Sequence, residues 1–186
     1  DVAVAMACPN LTVLAPCDPA ETAECVRWCA ARDSGGPVYL RLGKAGEPDL
    51  TADAEPWKFG KMRWLWRGRN RDHAKRMIIL TYGPIASVAI DLARALEASG
   101  REISADVASV HSLTNLAADD IGEVMTARQC IVIEEASGAP LARFLNKHLE
   151  HGSACRSFAL PRAFPHSYGT REELLAASGL TAEAIF

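Results

Sequence analysis

The clearest chemistry-bearing pair in this 186-residue chain is cationic. The apolar run Val38-Tyr39-Leu40-Arg41-Leu42 carries Arg41, and Lys44 comes two residues after its end. A strand of an α/β sheet delivers such groups to its carboxyl end, where a cation meets an anionic group of a ligand. Lys44 and Arg41 are therefore the candidate substrate-binding residues, the alternative being a surface pair at a domain edge. Glu134 and Glu135 close a second apolar run, Cys130-Ile131-Val132-Ile133, at the same kind of strand end. For at least one of them, a helix-capping or dimer-contact role is the favoured reading over ligand binding.

Other chemistries find little support. His73, His111, His148, His151 and His166 are scattered, and His148 and His151 share a helix face with no carboxylate ligand near in sequence, so no metal site is expected. Neither GxGxxG nor GxxxxGK[ST] occurs, and Gly83-Pro84 reads as a plain strand-to-helix turn. No GxSxG-type signature supports a nucleophilic triad. The residues alone give an α/β binding fold with one anion site and no complete catalytic, cofactor-binding or metal-binding set.

The stretch from 57 to 76 has an unusual composition. Trp57, Phe59, Trp64 and Trp66 alternate with Lys58, Lys61, Arg63, Arg67, Arg69, Arg71, Lys75 and Arg76, eight cations against the single Asp72. Cations neutralise phosphates and aromatic faces stack bases, so nucleic-acid binding is one reading. The overall charge is −3 and no nucleic-acid module accompanies the patch, which favours a hairpin between domains and makes a nucleic-acid partner unexpected. Six cysteines, at 8, 17, 25, 29, 130 and 155, form no CxxC pair and read as reduced structural thiols of a cytoplasmic protein. No apolar run approaches the roughly 20 residues of a membrane span, so no membrane partner is expected.

The elements that would position these groups alternate. A helix over 2–8, a strand over 11–15, a helix capped by Asp18 with Glu21 three residues on, and a strand over 38–42 form a first α/β unit that looks cut on its amino side. A second unit begins at residue 77. It comprises strands over 77–82, 103–110, 130–133 and 158–160, with helices over 85–99, 116–126, 140–150 and from the Thr170 cap onward. Gly100 and Gly179 stop two of these helices. The chain opens at Asp1 with no initiator Met, which suggests a fragment or a processed chain.

These residues resemble an enzyme family. Asp1-Val-Ala-Val-Ala-Met, Pro9-Asn10-Leu-Thr-Val-Leu-Ala-Pro16-Cys-Asp18 and Gly36-Pro37-Val-Tyr-Leu-Arg41-Leu-Gly-Lys44 resemble the second half of the pyrimidine-binding domain of transketolase-like enzymes. Phe59-Gly60-Lys61, the strand, Gly-Pro turn and helix over 77–98, Val132-Ile-Glu134-Glu135, Tyr168-Gly169-Thr-Arg-Glu-Glu and Gly179-Leu180-Thr181 resemble the remainder of the family's sequence, down to the close of its C-terminal domain. The implied fold is α/β: an incomplete parallel pyrimidine-binding unit over 1–47, a linker or basic hairpin over 48–76, and a three-layer C-terminal domain over 77–186. The implied activity is thiamine-diphosphate- and Mg²⁺-dependent transfer of a two-carbon ketol unit between sugar phosphates. The implied assembly is a homodimer or heterotetramer, with the cofactor held by a missing amino-terminal part or a cofactor-domain subunit, so the chain alone would be inert.

Alternatives within the resemblance are a 1-deoxyxylulose-5-phosphate synthase-like or 2-oxoacid dehydrogenase-like chain. A non-catalytic interaction module is the alternative outside enzymes. One functional position carries over: Lys44 stands where many members have an Arg that grips the substrate phosphate. Glu134-Glu135-Ala136 replaces the family's EEH, and Gly138-Ala139 its double glycine. These departures imply a substrate or partner unlike that of housekeeping transketolase.

Overall fold

The computed structural model describes residues 1–33, 35–44, 46–69, 76–148 and 155–186. Arg71, Asp72, His73, Lys75 and His151 lie outside the described residues.

The first unit is small. α1 (Val2–Ala5) is capped by the Asp1 carboxylate on Val2 N–H, and it ends a turn earlier than the expected Cys8. β1 (Thr12–Leu14) and β2 (Val38–Leu40) pair in parallel, joined by α2 (Pro19–Ala30). Gly36 passes so close to the Asn10 carbonyl that any side chain there would collide with it.

The second unit is a five-stranded sheet in the order β3-β5-β4-β6-β7. Its strands are β3 (Arg63–Trp66), β4 (Arg76–Thr81), β5 (Ser104–Ser109), β6 (Gln129–Ser137) and β7 (Cys155–Leu160). The last four run parallel and β3 is antiparallel to β5. α3 (Ala86–Ala98), α4 (Ala118–Met125) and α5 (Pro140–Asn146) make the crossovers, and α6 (Arg171–Ala177) and α7 (Ala182–Ile185) come after β7. Alternation along β4 splits the core into two. Ile78 and Leu80 join Val132, Leu141, Leu145 and the α1 residues Val2 and Ala5, whereas Met77 and Ile79 join Leu92, Leu96, Leu175 and Leu180. Helices thus cover both faces of the sheet, in three layers.

The two units interlock through the backbone. Ala15 N–H donates to the His111 carbonyl, Leu113 N–H to Val13, and Gly83 N–H to Ala15. Leu14 and Ser112 form an antiparallel bridge. The segment after β5 therefore extends the small sheet on its β1 side.

Part of the stretch read as a hairpin or linker is a strand. β3 sits at the sheet edge, and Arg63 on it donates to the Glu55 and Thr51 carbonyls. Arg76 is buried, with Nη2 2.7 Å from Asp106 and 2.8 Å from Glu123. Arg67 lies 3.3 Å and 3.2 Å from the same two acids and 3.6 Å over the Trp64 ring. Lys61 pairs with Asp119. Part of the basic–aromatic stretch is thus an edge strand, and three of its cations, Lys61, Arg67 and Arg76, pair with acids of β5 and α4.

One sequence expectation is overturned. Cys130 and Cys155 sit opposite each other in the β6–β7 register and are joined as a disulfide, so the six cysteines are not all reduced. Cys8, Cys17, Cys25 and Cys29 are free thiols. Of these, burial and nearby acids push Cys17 strongly up and Cys25 up to about 12, which leaves both inert.

Candidate substrate-binding site

The end of β2 divides the two candidate cations. Arg41 N–H donates to the Leu14 carbonyl, which continues the β1–β2 pairing by one residue. Its side chain turns inward, only 18% exposed: Nη2 donates to the Glu135 carbonyl at 3.2 Å and Nε lies 3.5 Å from the Asp1 carboxylate. That carboxylate also accepts from the Tyr39 hydroxyl at 3.0 Å. Gly83 leaves room for the guanidinium, since a Cβ there would come to 3.0 Å of Nη1. Lys44, three residues on, is exposed and has no carboxylate partner among the described residues. Next to it, Leu42 and Gly43 join Cys17, Asp18, Glu47 and Pro84 around a cleft of about 250 Å³. The pair therefore does not converge on one anion: Arg41 clamps the two units together, and Lys44 is the cation offered to solvent.

Glu134 and Glu135 are both engaged. β6 runs on to Ser137 through an irregularity after Glu134, two residues beyond Glu135. Glu134 is fully buried and accepts from Leu141 N–H at 3.0 Å, Ala142 N–H at 3.2 Å and the Tyr82 hydroxyl at 3.1 Å. It therefore caps α5 from outside the helix, since Ala139 at the cap position has no side-chain acceptor. Burial raises its carboxyl above the ordinary range, with the three donors opposing. Glu135 holds Arg171 at the start of α6, Oε2 to Nη2 at 2.6 Å. The helix-capping reading of this pair is correct for Glu134.

A third group was missed by sequence reasoning. Asp18 caps α2 through Glu21 N–H at 2.7 Å, as expected. Its other oxygen accepts from Leu50 N–H, Thr51 N–H and the Thr51 hydroxyl at 2.7–2.9 Å, which fastens the following loop to the helix. Glu21 does not return to the cap residue as a capping box would. It accepts from Cys17 N–H and from the Ser109 hydroxyl, both at 2.8 Å, and lies 3.3 Å from His111 Nδ1. Burial would raise the Glu21 carboxyl, but His111, Cys17 N–H and Ser109 together hold it below the usual range. The His111 ring packs on Trp57, with centroids 5.0 Å apart. His111 reads from sequence as one of five scattered histidines, because its partner is 90 residues away. Only the Asp18–Glu21 spacing hinted at a special α2 terminus.

Among the described residues, no three His, Cys, Asp or Glu side chains gather as metal ligands. No described helix is long and apolar enough to cross a membrane. Comparison with known proteins assigns both units. Residues 1–46 match the transketolase pyrimidine binding domain, and residues 68–185 match the transketolase C-terminal domain. The chain belongs to the transketolase family.

Two 1-deoxy-D-xylulose-5-phosphate synthases are among its relatives. That of Rhodobacter capsulatus is 31% identical over 100% of this chain and 29% of its own length. That of Chlorobaculum tepidum is 32% identical over 95% of this chain and 27% of its own. This transketolase-family chain thus spans less than a third of those relatives. Among solved structures, one described as a split gene transketolase, inactive beta4 tetramer, superposes with a TM-score of 0.77 at 26% identity, covering 98% of this chain and 57% of that one. A Campylobacter jejuni transketolase shares the fold at a TM-score of 0.63 and 15% identity, covering 99% of this chain and 26% of that one. The α/β architecture expected from sequence, a small parallel unit followed by a three-layer domain, is the one found.

Proposed function

We propose that this chain is the substrate-gripping and subunit-contact part of a thiamine-diphosphate-dependent enzyme that moves a two-carbon ketol unit between sugar phosphates. Family membership supports the thiamine-dependent class, and exposed Lys44 at the carboxyl end of β2 is the observation that carries the substrate class. Lys44 acts as a point charge for a substrate phosphate, without the two-pronged geometry an Arg would bring. Arg41 stays on Asp1 and the Glu135 carbonyl and holds the strand end that presents Lys44.

In this reading Mg²⁺ and the cofactor diphosphate are held by a counterpart, either an amino-terminal part or a second subunit. When bound there, thiamine diphosphate supplies the carbanion chemistry at the ketose carbonyl. The similarity to a split gene transketolase supports a two-part assembly, a homodimer or heterotetramer. A cytoplasmic location goes with this role.

A second reading has its own support, since the curated relatives named 1-deoxy-D-xylulose-5-phosphate synthase align along the whole chain. The test is to supply the assembled enzyme with candidate sugar phosphates and follow products by mass. A ketose phosphate lengthened by two carbons supports the proposal, and 1-deoxy-D-xylulose 5-phosphate supports the second reading. In either case Lys44→Ala should raise the KM for the phosphorylated substrate about tenfold to a hundredfold, the value of one charge-assisted contact, while Lys44→Arg should hold or lower it. A KM unchanged in Lys44→Ala would remove Lys44 from the site.

A further inference from the structure

The amino ends of the parallel strands carry a second cationic feature, separate from Lys44 at the carboxyl end of β2. A cavity of about 550 Å³ opens there, beside Met77 of β4, Ile103 before β5, Gln129 of β6 and Arg156 of β7. Three arginines line it, Arg101, Arg128 and Arg156, and no Asp or Glu does. In a chain with net charge −3, Arg101 and Arg156 bring positive charge to this partly open cleft. Apart from Gln129, the other lining side chains are apolar, among them Leu92, Leu96, Ile131 and Phe158.

The arginines differ in what else they do. Arg101 and Arg128 lie just past the ends of α3 and α4, where a cation also offsets the negative end of a helix. Arg156 stands on a strand with no helix end to serve. Its guanidinium is held 4.8 Å over the Phe158 ring, and that of Arg101 lies 4.9 Å over Phe186. Neither Arg101 nor Arg156 has a carboxylate partner among the described residues, although both are exposed. Aromatic contact fixes the planes of these cations while leaving their N–H donors open. That arrangement suits the fork geometry of phosphate oxygens.

We propose that this cavity binds an organic phosphate whose phosphates meet Arg101 and Arg156 and whose ring lies on the apolar wall, a nucleoside diphosphate being the class that fits. The volume falls within the range of small-molecule sites, and an apolar wall with a few fixed polar groups is their usual makeup. An inorganic anion would use the arginines and leave the wall in water.

The test is calorimetric titration of ADP into the full-length protein, with inorganic pyrophosphate as the comparison. The expected result is saturable ADP binding at least tenfold tighter than pyrophosphate. Arg156→Ala and Arg101→Ala should each weaken it about tenfold or more, with unchanged thermal midpoints because both side chains are exposed. Arg162→Ala, an exposed arginine outside the cavity, should have no effect. Saturating thiamine diphosphate should not displace ADP. No binding at millimolar ADP, equal binding of pyrophosphate, indifference to both arginine substitutions, or displacement by thiamine diphosphate would each overturn the proposal.

Discussion

Nδ1 of His111 lies 3.3 Å from Oε1 of Glu21, and both side chains are fully buried. The acid belongs to α2 of the first unit, and the imidazole comes just after β5 of the second. Backbone bonds from Ala15 to His111 and from Leu113 to Val13 run past the same place. The pair therefore pins the two units where their sheets meet. Glu21→Ala orphans the buried Cys17 N–H and Ser109 hydroxyl, and His111→Ala empties a fully buried site beside Trp57, so each should cost about 1–3 kcal/mol. In urea unfolding, the double variant should lose less than the sum of the singles, by about 1–3 kcal/mol. Strict additivity would mean that the two side chains do not act as a pair.

Acid should loosen this junction. The folded-state values of Glu21 and Asp18 lie below their ordinary values of 4.5 and 3.8. An acid with a depressed folded-state value stabilises the fold fully above its unfolded value and loses that contribution as pH falls through the folded one. Stability should thus be level for these groups above pH 4.5 and fall progressively below it. A Glu21→Gln variant should show a shallower fall over the same range. An equal fall in both proteins would assign acid sensitivity to other groups.

Glu134 shows the opposite direction, because burial raises its carboxyl. Its value lies in accepting from Leu141 N–H, Ala142 N–H and the Tyr82 hydroxyl, more than in its charge. Glu134→Ala should cost about 1–3 kcal/mol by orphaning those donors. Glu134→Gln keeps one acceptor and removes a buried charge, so its loss should be clearly smaller. If thermal unfolding ranked Gln as damaging as Ala, the carboxylate charge itself would be what matters.

How far the fold was legible in the sequence depends on the range of each interaction. Runs with local signals were readable. Met77–Thr81 lies in a fully buried strand, and α3 shows a stripe of Val88, Leu92 and Leu96 ended by Gly100. Asp18 announced its cap through its own neighbours. β3 was not legible, because alternating tryptophans and arginines look the same on a solvated hairpin and on an edge strand whose acids come from Asp106 and Glu123. The Glu21–His111 contact and the division of labour between Arg41 and Lys44 also depend on residues far along the chain. Arg41 has its partners at Asp1 and Glu135, and nothing in the 38–44 run says so.

Cys130 and Cys155 were likewise hidden, since 25 residues separate them and no motif marks them. Alkylation of the unfolded chain without reductant should label four cysteines, those at 8, 17, 25 and 29. After reduction it should label six. By its loop length the bond should contribute about 3 kcal/mol, read as a lower urea midpoint on reduction. Six labelled thiols before reduction would contradict the pairing.

In the proposed function this chain grips the substrate and leaves the cofactor to a counterpart. Calorimetric titration of thiamine diphosphate with Mg²⁺, into the chain alone and then into the chain mixed with the cofactor-domain counterpart, tests it directly. The expected result is no binding to the chain alone and saturable binding, tighter than to the counterpart alone, in the mixture. Equally tight binding to the chain alone, or a mixture that binds no better than its separate parts, would contradict it.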